Sequence, residues 1–260
     1  MSRFAPGLAV ILLAVAPLAA DPIETRYLLT DHWGGVVSDA EKSPATTHDD
    51  PMCWAAAASN VLAWTGWGRV DGMTTADDIF AYFQTHWMPG GGSPNNAWQW
   101  WFDADQPWAP FVIHTPGGGF WPSTPLDDYY RLKGGNATAM ASLDAMLHEG
   151  RAVAATLFNT DGYNPHVVTL WGYSTDPAEP NRYTGVWITD SDDHQALADP
   201  PDWLRYVPVA YMGERWHLQD YYGMDSYYLS ALHGLAPIPE PATAALLAIG
   251  GALLALGRRG

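Results

Sequence analysis

The amino-acid sequence contains a single cysteine, Cys53, in 260 residues. One thiol excludes an intramolecular disulfide framework and a cysteine-ligated zinc cluster. Positive charge is scarce too: 12 Lys and Arg stand against 28 Asp and Glu, a formal net charge of −16. That balance argues against nucleic acid and anionic lipid as partners, since both need a basic footprint. Charged residues make up only 15% of the chain and hydrophobic ones 48%, so the middle of the sequence is not a disordered polymer. No internal repeat is present, and the long apolar runs lie near the two ends. What the chain has in excess is aromatic. Its 14 Trp and 13 Tyr exceed the needs of a core and predict an aromatic-rich surface or cleft.

Residues 1–20 read as a secretory signal peptide. Arg3 supplies a positive n-region, Leu8 to Val15 is too short to span a bilayer, and Leu18-Ala19-Ala20 offers small residues for cleavage. At the other end, Pro237-Ile238-Pro239-Glu240-Pro241 precedes the apolar run Ala242 to Leu256, followed by Arg258 and Arg259. The run is about fifteen residues, short of the ~20 that cross a bilayer comfortably. This order, with Pro239-Glu240-Pro241 ahead of an apolar helix and an arginine stop, resembles the PEP-CTERM sorting tail of Gram-negative bacteria. The resemblance implies transient membrane anchoring through the C-terminal helix and an exosortase-type processing enzyme as partner. It implies export to the cell envelope, the cell surface or the extracellular matrix. The expected organisation is a signal peptide over 1–20, one domain over 21–236 and a sorting signal over 237–260.

Between the ends, helices come first. Met52 to Trp67 is alanine-rich, with Asp50 able to cap it, Pro51 at its first position and Gly66 and Gly68 to stop it. Thr75 to Trp87 and a short segment at Ala97 to Phe102, bearing Trp98, Trp100 and Trp101, follow. Pro89 to Asn96 reads as a flexible loop. Thr138 to His148 is a third long helix. Strands are expected at Tyr27 to Leu29, Phe111 to Ile113, Ala152 to Phe158, His166 to Tyr173, Gly185 to Thr189, Tyr206 to Met212 and Ser226 to Leu232. Helices followed by antiparallel strands predict an α+β fold with segregated layers.

Three features carry chemistry. Cys53 lies in the first turn of a helix, where unpaired N–H groups favour a thiolate; a lone cysteine is equally a small buried hydrophobe. His166 opens a strand after the Asn164-Pro165 turn. The next strand ends in Thr189-Asp190-Ser191-Asp192-Asp193, a cluster that can orient an imidazole, form a solvated turn or hold a hard cation. Taken together, a Cys on an early helix, a His opening a strand and an Asp closing the next strand give the papain-type order of nucleophile, base and orienting group.

The local wording goes further. Asp49-Asp50-Pro51-Met52-Cys53-Trp54-Ala55-Ala56-Ala57-Ala58-Ser59-Asn60-Val61-Leu62-Ala63-Trp64 resembles the nucleophile helix of the IdeS/Mac immunoglobulin-degrading cysteine peptidases. His166-Val167-Val168-Thr169-Leu170-Trp171-Gly172 is similar to their histidine strand, and Val186-Trp187-Ile188-Thr189-Asp190-Ser191-Asp192 to their aspartate segment. The resemblance implies a papain-like cysteine peptidase fold, with N-terminal-half helices packed on a C-terminal-half antiparallel sheet. It implies a Cys53–His166–Asp190 triad supported by Asp192, and Lys42 beside the Cys53 N–H in the oxyanion hole. No metal or organic cofactor is implied. The central tryptophan segment differs from the family, so immunoglobulin does not carry over as substrate. The expected function is an exported cysteine endopeptidase acting on a protein or peptide substrate. Its rivals are a tryptophan-rich, exopolysaccharide-binding surface module without activity, and a transpeptidase using the same triad.

Overall fold

The computed structural model describes residues 25–33, 35–43, 48–104, 113, 115–160, 165–192 and 204–239. The signal-like segment, the apolar run and arginines of the tail, Phe111, Val112, Trp108, Asn164 and Asp193 lie outside them. Thr25–Leu28 forms strand β1 and Leu29–Trp33 a short helix α1. Helices α2 (Cys53–Thr65), α3 (Ala76–His86) and α4 (Pro94–Asp103) follow. Strand β2 (Tyr130–Gly134) and helix α5 (Ala139–His148) lead into β3 (Ala152–Asn159), β4 (His166–Asp176) and β5 (Glu179–Thr189). The last strands are β6 (Arg205–Met212), β7 (Arg215–Leu218) and β8 (Tyr227–Leu235).

Local chemistry accounts for the helix ends. Thr75 and Asp78 form a capping box, each side chain accepting the other's backbone N–H, at 3.1 and 3.0 Å. Ser93 caps α4 with Pro94 in its first turn, so the helix begins inside the stretch expected to be loop. Gly66, at φ +84°, closes α2 in the left-handed conformation that glycine adopts without strain. Asp50 does not cap α2. Instead Asp50–Met52 make a 3-10 turn and Cys53 is the first α-helical residue.

The sheet corrects the expected fold class. All strand pairs are antiparallel, and β3, β4, β5, β6, β7 and β8 pair in a ring, β8 returning to β3. The result is a closed six-stranded barrel carrying a few helices, rather than helices layered on an open sheet in a papain-like α+β arrangement. The physical reason is strand sharing. Long strands β4 and β8 each take two partners along one edge: β4 pairs with β3 and then β1, and β8 pairs with β7 and then β2. β7 reaches β8 through one pair, His217↔Tyr228, and that pair closes the ring, which removes free edges.

Helix α2 runs against this barrel with every residue from Cys53 to Leu62 buried, as an alanine-rich helix without a polar face requires. Two polar side chains lie in that stretch: the Ser59 hydroxyl donates back to the Ala55 carbonyl at 2.8 Å, and Asn60 reaches out to the barrel. Its amide donates to the hydroxyls of Thr169 on β4 (3.1 Å) and Thr189 on β5 (3.4 Å), and its carbonyl accepts from Ala40 N–H (2.7 Å).

The tryptophans also depart from expectation. Trp98, Trp100 and Trp101 are completely or almost completely buried. The indole N–H groups of Trp101 and Trp121 both donate to the Trp67 carbonyl at 3.0 Å. These rings build the core between α2, α3 and α4, and a buried ring cannot stack on a glycan. At the C-terminal end the chain stays on the domain as far as Ile238, whose N–H donates to the Thr65 carbonyl at 2.9 Å. Among the described residues no helix is long and apolar enough to cross a membrane.

Candidate active site

Antiparallel pairing of β4 with β5 sets Thr169 opposite Thr189, so the residue that opens β4, His166, lies beside the residue that follows β5, Asp190. Asn60 ties both threonines to α2 and thereby brings the start of that helix, with Cys53, to the same place. Local sequence thus makes the three elements, and one buried amide registers them.

His166 Nε2 lies 2.7 Å from Asp190 Oδ1. Cys53 and His166 line one cavity, and the Cys53 sulfur favours the charged form of the ring, whose Nδ1 is the nitrogen that Asp190 leaves open. Burial disfavours a charged imidazole here. The Asp190 carboxylate and the Cys53 sulfur outweigh it and push the His166 pKa up. Asp190 is completely buried. Burial opposes its charge in turn, but imidazolium and hydroxyl donors hold its carboxyl well below the usual range.

Asp190 is saturated with donors. Besides His166, Oδ1 lies 3.2 Å from the Asp192 N–H, while Oδ2 accepts the hydroxyls of Tyr221 (2.5 Å) and Tyr222 (2.9 Å) and has Arg205 at 3.5 Å. The Arg205 guanidinium also stacks over both tyrosine rings, 5.2 and 5.5 Å from their centres. Burial and the neighbouring carboxylate push both phenols far up, so they remain donors.

Lys42 is buried in the same cavity. Its ammonium pairs with Asp192 and donates to the Asp50 carbonyl at 2.5 Å, while its backbone N–H bonds the Ser191 carbonyl. Two of its three N–H groups are thereby used and one is left. Asp192, with one oxygen on Lys42 and the other 3.7 Å from His166 Nδ1, links the lysine to the histidine. A cavity of about 710 Å³ opens over Cys53, His166, Lys42 and Asp192. Gly91 gives part of its wall as bare backbone. The Trp54 indole holds this loop through the Gly90 carbonyl at 2.8 Å, and a Cβ on Gly92 would fall 2.5 Å from the indole.

The structure therefore brings Cys53, His166, Asp192 and Lys42 to one cavity, with Asp190 buried beneath His166. Ligand atoms of His166, Asp190 and Asp192 come within 4.8 Å of one another, a spacing that a metal ion could also use. Both oxygens of Asp190 already accept donors, and Lys42 and Arg205 sit as cations on this cluster, so a divalent ion would have to displace an ammonium and face a guanidinium. Tyr221, Tyr222 and Arg205 were not singled out from sequence. Arg205 reaches Asp190 from the neighbouring strand, opposite Ile188, and the two tyrosines reach it because the barrel closes, which no local pattern announces. No protein-family model matches the chain, and no curated protein matches it.

Proposed function

We propose that the protein is a cysteine endopeptidase that hydrolyses peptide bonds through Cys53, His166 and Asp190. The observation that carries this reading is Cys53 beside His166 on one cavity, with the imidazole held at 2.7 Å by a buried, fully donor-saturated carboxylate. In the reaction, the Cys53 sulfur attacks the peptide carbonyl carbon and the carbonyl electron pair moves onto oxygen. The Cys53 backbone N–H, at a helix start where such groups lack intrahelical partners, and the remaining Lys42 N–H stabilise that oxyanion. His166 Nδ1–H protonates the amine nitrogen as the C–N bond breaks, leaving a thioester. A water then gives one proton to His166 and its hydroxide to the acyl carbon; the C–S bond breaks, the acid leaves, and the sulfur is returned as thiolate beside the protonated His166 that began the cycle. Asp190 keeps the ring oriented and charged. The signal-like start and the sorting-like tail support a place of action at the cell envelope or in the extracellular matrix, with tail processing by an exosortase-type enzyme.

Iodoacetamide tests the reading on folded protein. It should modify Cys53 faster than a free thiol and abolish cleavage of a denatured-protein substrate, and Cys53→Ala should be inactive with its melting temperature preserved. An unmodified Cys53, or an active alanine variant, would sink the assignment.

A further inference from the structure

The turn that delivers Tyr222 to Asp190 has a second side. Tyr221 and Met224 face each other as an isolated antiparallel pair, with N–H···O bonds of 2.9 and 3.1 Å in the two directions. The two residues between them, Tyr222 and Gly223, lie at φ +53° and +70°. That is the signature of a type I′ turn, which asks for Asn-Gly or Gly-Gly. A tyrosine at the first position is strained, at a cost of order 1 kcal/mol. Its side chain must therefore be held, and it is: the hydroxyl bonds Asp190 at 2.9 Å while the ring packs 4.6 Å from that of Tyr221.

The tip so built is apolar and open. Tyr222 is 45% exposed and Met224 40%, and both line the cavity that holds Cys53, with Pro165 and Tyr227 beside them. Polar groups of Lys42, Ser43, Asp50, His166 and Asp192 line the rest, with Pro51, Cys53 and Gly91 among them. Single exposed apolar residues on a surface need no explanation. Two on a strained turn, anchored to the orienting carboxylate and facing the nucleophile, do.

We propose that Tyr222, Met224 and Tyr227 form a specificity subsite that takes one large apolar side chain of a polypeptide substrate, Phe, Leu or Met, next to the bond cut; this rests on the peptidase reading. The flexible thioether of Met224 adapts to aromatic or branched groups, and the tyrosine rings give them flat walls. The polar lining receives the rest of the substrate. Because Tyr222 contacts both Asp190 and the subsite, an occupied subsite presses on the turn that orients the catalytic histidine.

The full chain, kept in detergent, is incubated with a synthetic peptide pool of equal residue frequencies, and the cleavage products are sequenced by mass spectrometry. Large apolar residues should be enriched at one fixed position near the cut. Met224→Asp should lower kcat/KM on the preferred peptide about tenfold or more and shift the preference towards Lys and Arg, while Met224→Leu should retain the apolar preference. Cleavage without apolar enrichment at any position, or enrichment unchanged in Met224→Asp, overturns the subsite and leaves the peptidase reading standing. A pool left uncut by protein whose Cys53 still labels with iodoacetamide overturns the peptidase reading, and the subsite with it.

Discussion

Asp190 lies at full burial and keeps its charge only because donors reach both oxygens. This makes it the residue on which the pH behaviour of the site turns. His166, raised from its ordinary 6.5 to about 10, stabilises the fold as imidazolium below pH 6.5, and that contribution is lost as pH rises through about 10. Asp190, lowered from 3.8, contributes above 3.8 and loses its contribution only as pH falls through its folded value. Between those limits the imidazolium–carboxylate pair is intact, so activity that depends on imidazolium should decline on the alkaline side well above 6.5. In Asp190→Asn the burial penalty on the imidazole remains while the charge that overcame it is gone. Turnover should fall about 10³–10⁴-fold and the alkaline limb of kcat should move to lower pH. Asp192→Asn, which touches the ring only at 3.7 Å, should cost less. The pH–rate profiles of the two variants check this. Rates within a few-fold of the parent and an unmoved limb in Asp190→Asn would return Asp190 to a structural role.

Elements were legible where the cause is local. The helices declared themselves through alanine content, caps and a glycine stop, and β3, β4, β6 and β8 through short apolar runs bounded by turns. Three were not foreseen. α1 is only five residues long, β2 is a mostly exposed edge strand, and β7 is four residues held to β8 by one pair. Since β7 completes the ring, missing it turned a barrel into an open sheet. His166 and Asp190 were readable as a pair because β4 and β5 are consecutive and pair directly, while Cys53 joins them through packing of α2 on β4 across a long stretch of chain. Tyr221 and Tyr222 were hidden because only closure carries the turn between β7 and β8 to Asp190, whereas Arg205 sits opposite Ile188 through the direct β5–β6 pairing. Asn60 is where element and site meet, since one side chain joins α2, β4 and β5. Asn60→Ala leaves the Ala40 N–H and two threonine hydroxyls without their partner inside the protein, a cost of about 2–3 kcal/mol. Because the change also frees the start of α2 from the His166 strand, thiol labelling by iodoacetamide should slow beyond what lost stability explains. Urea unfolding and labelling rates at the same folded fraction separate the two effects; labelling unchanged at equal folded fraction would show that Asn60 stabilises the fold without registering the site.

At the scale of the whole molecule the question is where the domain ends. The composition shift at Pro237 suggested a boundary after residue 236, with everything beyond it a linker to the tail. The packing runs further. The Trp67 indole donates to the Ala236 carbonyl at 2.8 Å, Ala236 N–H bonds the Tyr129 carbonyl, and Ile238 N–H caps the free Thr65 carbonyl near the end of α2. The Ile238 side chain packs against the core beside Gly66, where an added Cβ would stand 3.1 Å from it. The last turn of a helix has carbonyls without intrahelical partners, so this backbone contact serves as part of the α2 C-terminal cap. Ending the chain at Ala236 removes one such hydrogen bond and a half-buried isoleucine, together about 1–2 kcal/mol. Ending it at Pro239 removes neither. At about 2–4 °C per kcal/mol for a chain of this size, the shorter form should melt several degrees lower. Both forms should label at Cys53, because the site draws on the start of α2 and not on its end. Equal melting temperatures would place the boundary at 236 after all. Loss of labelling in the form ending at Pro239 would show instead that the tail belongs to the fold.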